Sequence, residues 1–378
     1  MQGEEYKKAG QEITEWDQDV YQKLVSIELT DEQKSRIVQP KHRFIDQKSV
    51  LAVHWHPEIV PMPLVEQRIS AMYPSKVQEL IIPTQHNELL SYDEFSGVEI
   101  DCFAKEFSRK VQFLIHFKNK NVENADTFKS MLSHTFQYRS SQFFEFLETI
   151  INPKFEEKFF EGVQVSASDP EVVAFVKLYA QKLKNLIEIN ESITPKVSLK
   201  NKLLPNYFAH LSAFYDERLI THSLVLLKDV KEVVKKHFRL DYFFDVQEVI
   251  EEVRHLGGGI VIPHPEQFWP ILLANYDIDG IEVWNPQSRE FTEFLIKVIN
   301  NINKNKLYQK NPMLVFMGDD THLSEKLKED HLQDPVKSLR EIGYQPAWDE
   351  LIIRKSLMLG LCDKNETIEE YKNRLNSY

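Results

Sequence analysis

Residues 50–56 read VLAVHWH, and this short stretch decides how the chain begins to fold. An aliphatic run that ends in polar residues is typical of a buried strand and its carboxyl end. His54 and His56 stand two positions apart, so on a strand both imidazoles project from one face while Trp55 points the other way. The stretch therefore predicts a strand that delivers two chelating side chains to the same place.

Several other apolar runs end in the same way. The runs and the side chains that follow them are LII at 80–82 with His86, GV at 97–98 with Glu99, VQFLI at 111–115 with His116, GIVIP at 259–263 with His264, and MLVFM at 313–317 with Asp320 and His322. Past residue 240 such strands alternate with amphipathic helices, which predicts an α/β fold built on a parallel sheet. Polar residues gathered at the carboxyl ends of strands are typical of the active-site mouth of a closed βα barrel.

The middle of the chain has a different pattern, one of long amphipathic helices. Asp169, Pro170 and Glu171 supply an N-cap, a first-turn proline and a first-turn acid, and apolar residues recur behind them at helical spacing. We therefore predict four parts. They are an N-terminal helical extension at 1–45, a first barrel part at 46–119, a helical insertion at 120–215, and a second barrel part with C-terminal helices at 216–378.

Composition excludes several classes of protein. At 42% hydrophobic residues the chain has enough apolar material for a core, so it is not mainly disordered. No apolar run is long enough to span a bilayer and the first residues are polar and acidic, so we expect a cytoplasmic protein with no membrane partner. The formal net charge of −12 disfavours duplex nucleic acid, whereas a short oligonucleotide end can still reach a locally positive metal cluster.

The residues at the strand ends indicate metal chemistry. With only Cys102 and Cys362 the chain cannot build a Cys-rich zinc site, so any metal has to be held by histidines and carboxylates. One His-x-His pair also fits two polar residues on a half-buried strand; the accumulation of such residues at strand ends is what favours a metal centre. Imidazole with carboxylate suits zinc, manganese or iron, and several histidines with a bridging carboxylate suit more than one ion.

Taken in order, these motifs resemble those of a known family. They are HxH at 54–56, TxHN at 84–87, GVE at 97–99, His116 at a strand end, HP at 264–265, GIEV at 280–283 and GxDxH at 318–322. Their order is similar to that in the PHP (polymerase and histidinol phosphatase) superfamily, over about residues 50–117 and 220–325. The chain most resembles the bacterial phosphoesterases of that superfamily, which carry a helical insertion before the His-Pro motif.

The resemblance implies a distorted (β/α)7 TIM-like barrel of the PHP type, with two or three divalent ions at the carboxyl ends of its strands. Manganese, zinc and iron are the candidate metals. The implied ligands are His54, His56, Glu99 and Asp320 for one ion, His116 and His264 with bridging Glu99 for a second, and His86 with His322 for a third.

The sequence departs from the family pattern at three places. Gln85 stands where the family usually has an aspartate, in a position that supports the metal site without binding the metal. The acidic residue or histidine expected about five residues beyond HxH is missing, and Glu58 is the nearest substitute. The arginine that often follows the His-Pro motif to hold phosphate is also missing, and Arg289 and Arg218 are the candidates to replace it.

These features predict a metal-dependent hydrolase. A hydroxide that bridges two divalent cations is available at neutral pH because the cations lower the pKa of bound water. We expect a phosphoesterase that cleaves a small phosphomonoester or a nucleotide end, with His322 or His222 as proton donor to the leaving group. The resemblance implies His222 as the counterpart of a family histidine in an Arg-x-His setting. No arginine stands two positions before it, and a plain histidine at the start of a helix is the alternative. Glu282 and Asn285 either contact the substrate or cap a strand end.

Two alternatives stay open. An amidohydrolase-like enzyme that cleaves amides or lactones shares the HxH opening, but it typically uses a metal-bridging lysine, and no lysine ends a clear strand at the needed place. The other alternative is a catalytically decayed barrel that binds a protein partner through the phenylalanine-rich insertion.

Overall fold

The computed structural model describes residues 12–305, 311–360 and 362–377 of the chain. The parts of the predicted N-terminal extension and second barrel part that fall on 1–11, 306–310, 361 and 378 lie outside these residues. The chain divides into two compact units of two segments each. The helical unit comprises Met1–Glu28 and Gln137–Arg239, and the sheet unit comprises Leu29–Phe136 and Leu240–Tyr378. The four-part division predicted from the sequence stays a prediction.

Helices and strands follow one another along both units. The helices of the described residues are α1 (Glu15–Val25), α2 (Asp31–Val38), α3 (Met62–Met72), α4 (Asn119–Val122), α5 (Asp126–Phe136), α6 (Tyr138–Ile151), α7 (Glu156–Ser166), α8 (Pro170–Ile189), α9 (Leu203–His210), α10 (Glu217–His237), α11 (Val246–His255), α12 (Thr292–Asn305), α13 (Leu323–Leu327), α14 (Leu351–Leu359) and α15 (Lys364–Ser377). The strands are β1 (Ser49–Ala52), β2 (Trp55–His56), β3 (Gln78–Ile81), β4 (Leu90–Tyr92), β5 (Phe95–Ala104), β6 (Arg109–Lys118), β7 (Gly259–Ile262), β8 (Gly280–Trp284), β9 (Leu314–Met317) and β10 (Thr321–His322). In the described part of the chain, no helix combines the length and the apolar character that crossing a membrane requires.

Helix α8 shows how the helical unit forms. Asp169 accepts a hydrogen bond from the backbone N–H of Val172, and Pro170 occupies the first turn. The apolar stripe of α8, which includes Val176 and Leu183, is buried in one core with residues of α1, α6, α7, α9 and α10. Burial of apolar residues at helical spacing therefore stabilises this unit.

The sheet unit contains three sheets. The largest has six strands in the order β4-β5-β6-β7-β8-β9, while β1 pairs with β3 and β2 pairs with β10 in two smaller sheets. From β4 to β7 each strand is antiparallel to its neighbour, whereas β7, β8 and β9 are parallel. The predicted mixed α/β class is confirmed, but the six-stranded sheet is mixed rather than parallel. Among the described residues the strands do not pair into a closed barrel.

The antiparallel part of the large sheet has a local cause. Only four residues, 105–108, connect β5 to β6, and Ser108 adopts the left-handed conformation with φ of 49°. Two parallel neighbours need a crossover of a dozen or more residues, so a connection this short forces a hairpin. The two ten-residue strands therefore pair along their whole length, from Phe95 with Lys118 to Ala104 with Arg109.

Hydrogen bonds outside the strand pairings connect the three sheets. The backbone N–H of Asn87 donates to the carbonyl of Glu99 (2.7 Å), and that of Asp320 donates to the carbonyl of His54 (2.9 Å). The buried side chain of Gln345 donates through Nε2 to one carbonyl of β1 (2.8 Å) and one of β9 (2.7 Å). The ends of strands from all three sheets are therefore held close together.

Candidate metal centre

The side chains with metal-ligand chemistry converge in the sheet unit. His54 follows β1, Glu99 lies within β5, His264 follows β7, and Asp320 lies between β9 and β10. In the described part of the chain, three groups offer ligand atoms that all lie within 4.8 Å of one another: His54, His56 and Asp320; His54, Glu99 and His264; and His56, His86 and His322. Seven of the eight proposed ligands are thus brought together.

The backbone is strained at the positions that aim some of these side chains. His264 has φ of 29°, Asp320 has φ of 47°, and Glu58 beside them has φ of 54°. Residues other than glycine avoid this left-handed region, and such strain gathers at functional sites when the surrounding structure enforces it. The long-range contacts of the centre therefore override local backbone preference.

A carboxylate behind His54 orients its ring. Nδ1 of His54 lies 2.6 Å from Oε2 of Glu282, so Nε2 is the nitrogen left to face the centre. Oε1 of Glu282 in turn accepts hydrogen bonds from the backbone N–H of His264 (3.2 Å) and from Nδ2 of Asn285 (3.1 Å). A carboxylate that fixes the ring of a ligand histidine in this way is typical of metal sites. Glu282 thus orients His54 and Asn285 contacts Glu282, while their contact with a substrate stays a prediction.

Gly318 makes room for this carboxylate. A Cβ atom at position 318 would lie 1.8 Å from Oε2 of Glu282. No other residue type fits there without moving Glu282 away from His54. The glycine of the GxDxH motif therefore has a packing role in the centre.

Glu99 lies between three imidazoles. Its Oε2 is 2.5 Å from Nδ1 of His86 and 3.6 Å from Nε2 of His56, and its Oε1 is 3.4 Å from Nε2 of His264. Burial acts to raise the pKa of Glu99, but the surrounding imidazoles hold that pKa well below its usual range. An ionised carboxylate with one oxygen toward each side is suited to bridge two cations.

Asp320 presents one oxygen to the centre and the other to an arginine. Its Oδ1 lies 3.6 Å from Nε2 of His54, 3.4 Å from Nε2 of His56 and 3.3 Å from Nε2 of His322. Its Oδ2 accepts a hydrogen bond from Nη1 of the buried Arg340 (2.6 Å), which also donates to the Asp320 carbonyl (3.0 Å). Arg340 therefore restricts Asp320 to one ligand oxygen.

Unsatisfied polar atoms show that these residues fit a bound cation. Nε2 of His54 and both ring nitrogens of His56 are buried without a hydrogen-bond partner. Leaving such an atom unsatisfied costs about 1–3 kcal/mol, so three on neighbouring rings need a common explanation. A divalent metal supplies it, because nitrogen and oxygen lone pairs that point at one another are stabilised by a cation between them.

The protonation of the two central histidines agrees with this fit. Burial, and then the neighbouring His86 and His322, lower the pKa of His56 to about 3, so its ring is neutral, the form that binds metals. Burial also acts to lower the pKa of His54, but the carboxylates of Glu282, Asp320 and Glu99 outweigh it and raise that pKa to about 10. The carboxylates around His54 thus form a negative site that a cation would neutralise.

His86 and His322 lie at the more exposed side of the centre. Their side chains are 25% and 29% exposed, and both rings stack on His56, with centroids 4.4 and 4.3 Å away. Nδ1 of His322 lies 3.4 Å from Oε1 of Glu58, whose Oε2 accepts from the backbone N–H of Ser324 (2.8 Å). Glu58 contacts His322 and belongs to none of the three groups, so its role as the substitute ligand stays a prediction.

His116 is the proposed ligand that the structure keeps apart. Its Nε2 donates to the carbonyl of Val53 (3.1 Å), which leaves Nδ1 to accept from the hydroxyl of Tyr371 (2.8 Å). Both nitrogens have hydrogen-bond partners and His116 belongs to none of the three groups, so its role as a ligand stays a prediction. One of these partners, Tyr371, lies 255 residues away in the chain.

The remaining candidates lie elsewhere or have other partners. His222 and Arg218 are exposed residues of α10 in the helical unit. Arg289 is 60% exposed and pairs with Glu350 at 2.9 Å. Gln85 supports the centre, since its Oε1 accepts from the backbone N–H of Glu58 (3.0 Å).

Two contributors were missed by the sequence reasoning. Arg340 lies 20 residues beyond Asp320 in an irregular segment with no motif around it. The orienting role of Glu282 was missed because its partner His54 is 228 residues away. The GIEV stretch around Glu282 was the one signal that pointed to this position.

Comparisons with known proteins add a distant likeness. No family model and no curated protein matches the chain. Among solved structures it is similar to a candidate metal-dependent phosphoesterase from Bifidobacterium adolescentis, with 16% identity and a TM-score of 0.37 over 79% of this chain and 96% of that one. A TM-score of this size does not establish a common fold, so the function has to be inferred from the centre itself.

Proposed function

We propose that the protein is a metal-dependent hydrolase, and that it is a phosphoesterase acting on a small phosphomonoester or a nucleotide end. The observation that carries the proposal is the set of buried imidazole nitrogens that lack hydrogen-bond partners and lie among ligand-type side chains. The carboxylates contact imidazoles and Arg340, whereas the amidohydrolase-like alternative calls for a metal-bridging lysine. A decayed scaffold would have no reason to keep three buried imidazole nitrogens unsatisfied.

The groups support two ion positions. Because Nδ1 of His54 faces Glu282, only its Nε2 can bind an ion, so the two groups that share His54 describe one position. Its other members are His56, Asp320, Glu99 and His264. The group of His56, His86 and His322 describes a second. Glu99 contacts residues of both groups and is the bridging carboxylate. Imidazoles with carboxylates suit manganese, zinc or iron.

The chemistry follows from what the ligands and their neighbours do. Bound divalent ions supply an activated water at neutral pH and neutralise charge on the phosphate oxygens. Glu282 and Arg340 hold His54 and Asp320 in place, which fixes where the phosphate can lie. His322 lies between Glu58 and Asp320. Burial acts to lower the pKa of His322, but these two carboxylates raise that pKa to about 9. A protonated His322 at the exposed side is therefore our candidate donor of a proton to the leaving oxygen, in the state where it does not bind an ion.

The same proposal extends to the fold. We propose that the three sheets are arcs of one interrupted barrel of the distorted (β/α)7 type. The hydrogen bonds between Asn87 and Glu99 and between Asp320 and His54 support it, since they join the sheets where ladders are absent. Metal ligands at the carboxyl ends of the strands then share one mouth.

Elemental analysis and a substrate screen test the function together. Purified wild-type protein is loaded separately with manganese, zinc and iron, and tested on phosphomonoesters, phosphodiesters, amides and lactones. We expect bound metal and turnover of a phosphoester. The double variant His54→Ala with His56→Ala should lose both, and His42→Ala, which removes an exposed histidine of the same unit, should lose neither.

Two results would overturn the proposal. Substoichiometric metal in the wild type that the double variant does not change would favour the decayed scaffold. Full metal occupancy with turnover only of amides or lactones would favour the amidohydrolase-like enzyme.

A further inference from the structure

A second feature of the sheet unit adjoins the metal centre. A cavity of about 220 Å³ lies against His264. The side chains around it that matter here are Arg109, Lys110, Gln112, Gln267 and Phe268. It is smaller than the space that encloses a whole small-molecule ligand, about 300–1,000 Å³, so it fits one group of a larger substrate.

The register of the sheet explains why Arg109 and His264 line one cavity. β6 and β7 are antiparallel, and Leu114 pairs with Val261. The first residues of β6 therefore lie at the same end of the sheet as the residues that follow β7, where His264 stands. A residue at the start of β6 can thus share a cavity with a candidate metal ligand, although 155 positions separate Arg109 from His264 in the sequence.

The cavity has the opposite charge from the protein as a whole. Its lining includes two cationic side chains and, among the described residues, no carboxylate, whereas the whole chain carries a formal net charge of −12. Lys110 forms an ion pair with Asp101. Arg109 has no carboxylate partner in the described part of the chain, and its guanidinium Cζ lies 5.4 Å from the centroid of the Phe268 ring.

This arrangement suits an anion. A guanidinium presents paired N–H donors that match a carboxylate or a phosphate, and packing against an aromatic ring limits its rotation. The amide groups of Gln112 and Gln267 add donors to the same cavity. The apolar surface of Phe268 can carry the organic part of the substrate between the anion and the metal centre.

Another cavity of the sheet unit has a different charge. It has a volume of about 610 Å³ and lies at the amino end of β1, away from the end that bears His54. Its charged lining residues are Asp46, Asp349, Asp363, Lys48, Arg354 and Lys364. Three carboxylates oppose three cations there, so that cavity has no preference for an anion.

We propose that the cavity beside His264 is an anion subsite in which Arg109 binds a second negatively charged group, a carboxylate or a phosphate, on the leaving group of the substrate. The inference rests on the proposed phosphoesterase function and narrows its substrate class. The preferred substrates are phosphoesters of anionic alcohols, and esters of neutral alcohols are poorer because they gain no contact with the exposed guanidinium of Arg109.

Binding of non-hydrolysable analogues tests the subsite independently of turnover. The full chain is loaded with manganese, and calorimetry gives the Kd of phenylphosphonate, 4-carboxyphenylphosphonate and benzene-1,4-diphosphonate. We expect the two analogues with a second anion to bind about five- to tenfold more tightly than phenylphosphonate, the gain typical of one charge-assisted contact. Arg109→Gln should remove the gain, and Lys105→Gln, an exposed cation four residues away and outside the cavity, should keep it. The analogue with the larger gain identifies whether carboxylate or phosphate is preferred.

Hydrolysis of phenyl phosphate and 4-carboxyphenyl phosphate separates the two proposals. A preference for the carboxylated ester in KM that disappears in Arg109→Gln supports both the subsite and the phosphoesterase. The same preference in binding, without turnover of either ester, supports the subsite and contradicts the phosphoesterase. Equal binding of the three analogues by the wild type, or an unchanged gain in Arg109→Gln, overturns the subsite.

Discussion

At the scale of single residues, the centre depends on side chains that hold the ligands as much as on the ligands. Glu282 leaves His54 one free nitrogen, and Arg340 leaves Asp320 one free oxygen. Each restriction lowers the freedom that a ligand would lose on binding an ion, so these partners tune affinity without touching the metal.

The role of Arg340 gives the first prediction. Arg340→Gln removes the charge that holds Oδ2 of Asp320, so we expect the Kd for manganese to rise about 10- to 100-fold. Metal titration against a competing chelator measures it, with circular dichroism to show that the variant is folded. Arg354→Gln, an exposed arginine of the same unit, is the control. An unchanged Kd in a folded Arg340→Gln protein would contradict the positioning role.

Gly318 gives a second prediction at the same scale. The added methyl group of Gly318→Ala displaces the carboxylate of Glu282, so we expect about tenfold weaker metal binding and about 1–3 kcal/mol lower free energy of unfolding. Metal titration and urea unfolding provide the two values. Gly360→Ala meets only the movable end of Asn300 and should leave metal affinity as in the wild type. If both variants bind metal equally well, the close packing of Gly318 on Glu282 does not affect metal affinity.

At the scale of elements, buried charge joins the helices of the helical unit. Asp17 of α1 contacts Nζ of Lys182 in α8 (2.7 Å) and accepts a hydrogen bond from the hydroxyl of Tyr207 in α9 (2.8 Å). Burial acts to raise the pKa of Asp17, but Lys182, Thr14 and Tyr207 together lower it below its usual value. The ionised carboxylate is therefore the form that stabilises the packing of these three helices.

A third prediction concerns the pH dependence of this contact. A lowered folded-state pKa means that the stabilisation is complete above the unfolded-state value of about 4 and is lost as the pH falls through the folded-state pKa. At pH 7 we expect Asp17→Asn to cost about 3 kcal/mol of unfolding free energy, because Lys182 loses its buried partner. Urea unfolding at pH 7 and near pH 3 should show that the difference from wild type shrinks in acid. Asp19→Asn, an exposed site on α1, should show no such difference, and a penalty for Asp17→Asn that is independent of pH would contradict this account.

At the scale of the whole molecule, metal binding should stabilise the sheet unit as well as supply chemistry. The candidate ligands come from β2, β5, β10 and the segments after β1, β3, β7 and β9, so a bound ion would connect distant parts of the chain. Without it, the buried atoms that lack partners oppose folding.

The fourth prediction follows from this coupling. Free metal at 100 times its Kd adds about 2.7 kcal/mol to the unfolding free energy, so a chelator should lower the Tm of the wild-type protein by several degrees. Differential scanning calorimetry with and without chelator measures the shift. The double variant His54→Ala with His56→Ala should show almost none. An equal shift in both proteins would place the stabilising metal outside this centre.

Local sequence patterns determined the positions of many helices and strand ends in this protein. Capping residues such as Asp169 and the apolar runs that end in His54, His264 and Asp320 predicted elements and strand ends, because those signals depend on neighbours within a few residues. The sequence order of the ligand-type residues also pointed to one shared centre, seven of whose members the structure brings together.

Only the tertiary structure decided the rest. In the folded protein Val53 and Tyr371 are hydrogen-bond partners of His116, Glu282 and Arg340 contact candidate ligands, and Arg109 shares a cavity with His264. These contacts join residues that are 20 or more positions apart, and their energies depend on burial and on which groups compete for the same atom. The spacing of neighbouring residues does not predict which distant group contacts a given atom. That is determined by how the sheets and their connecting segments pack.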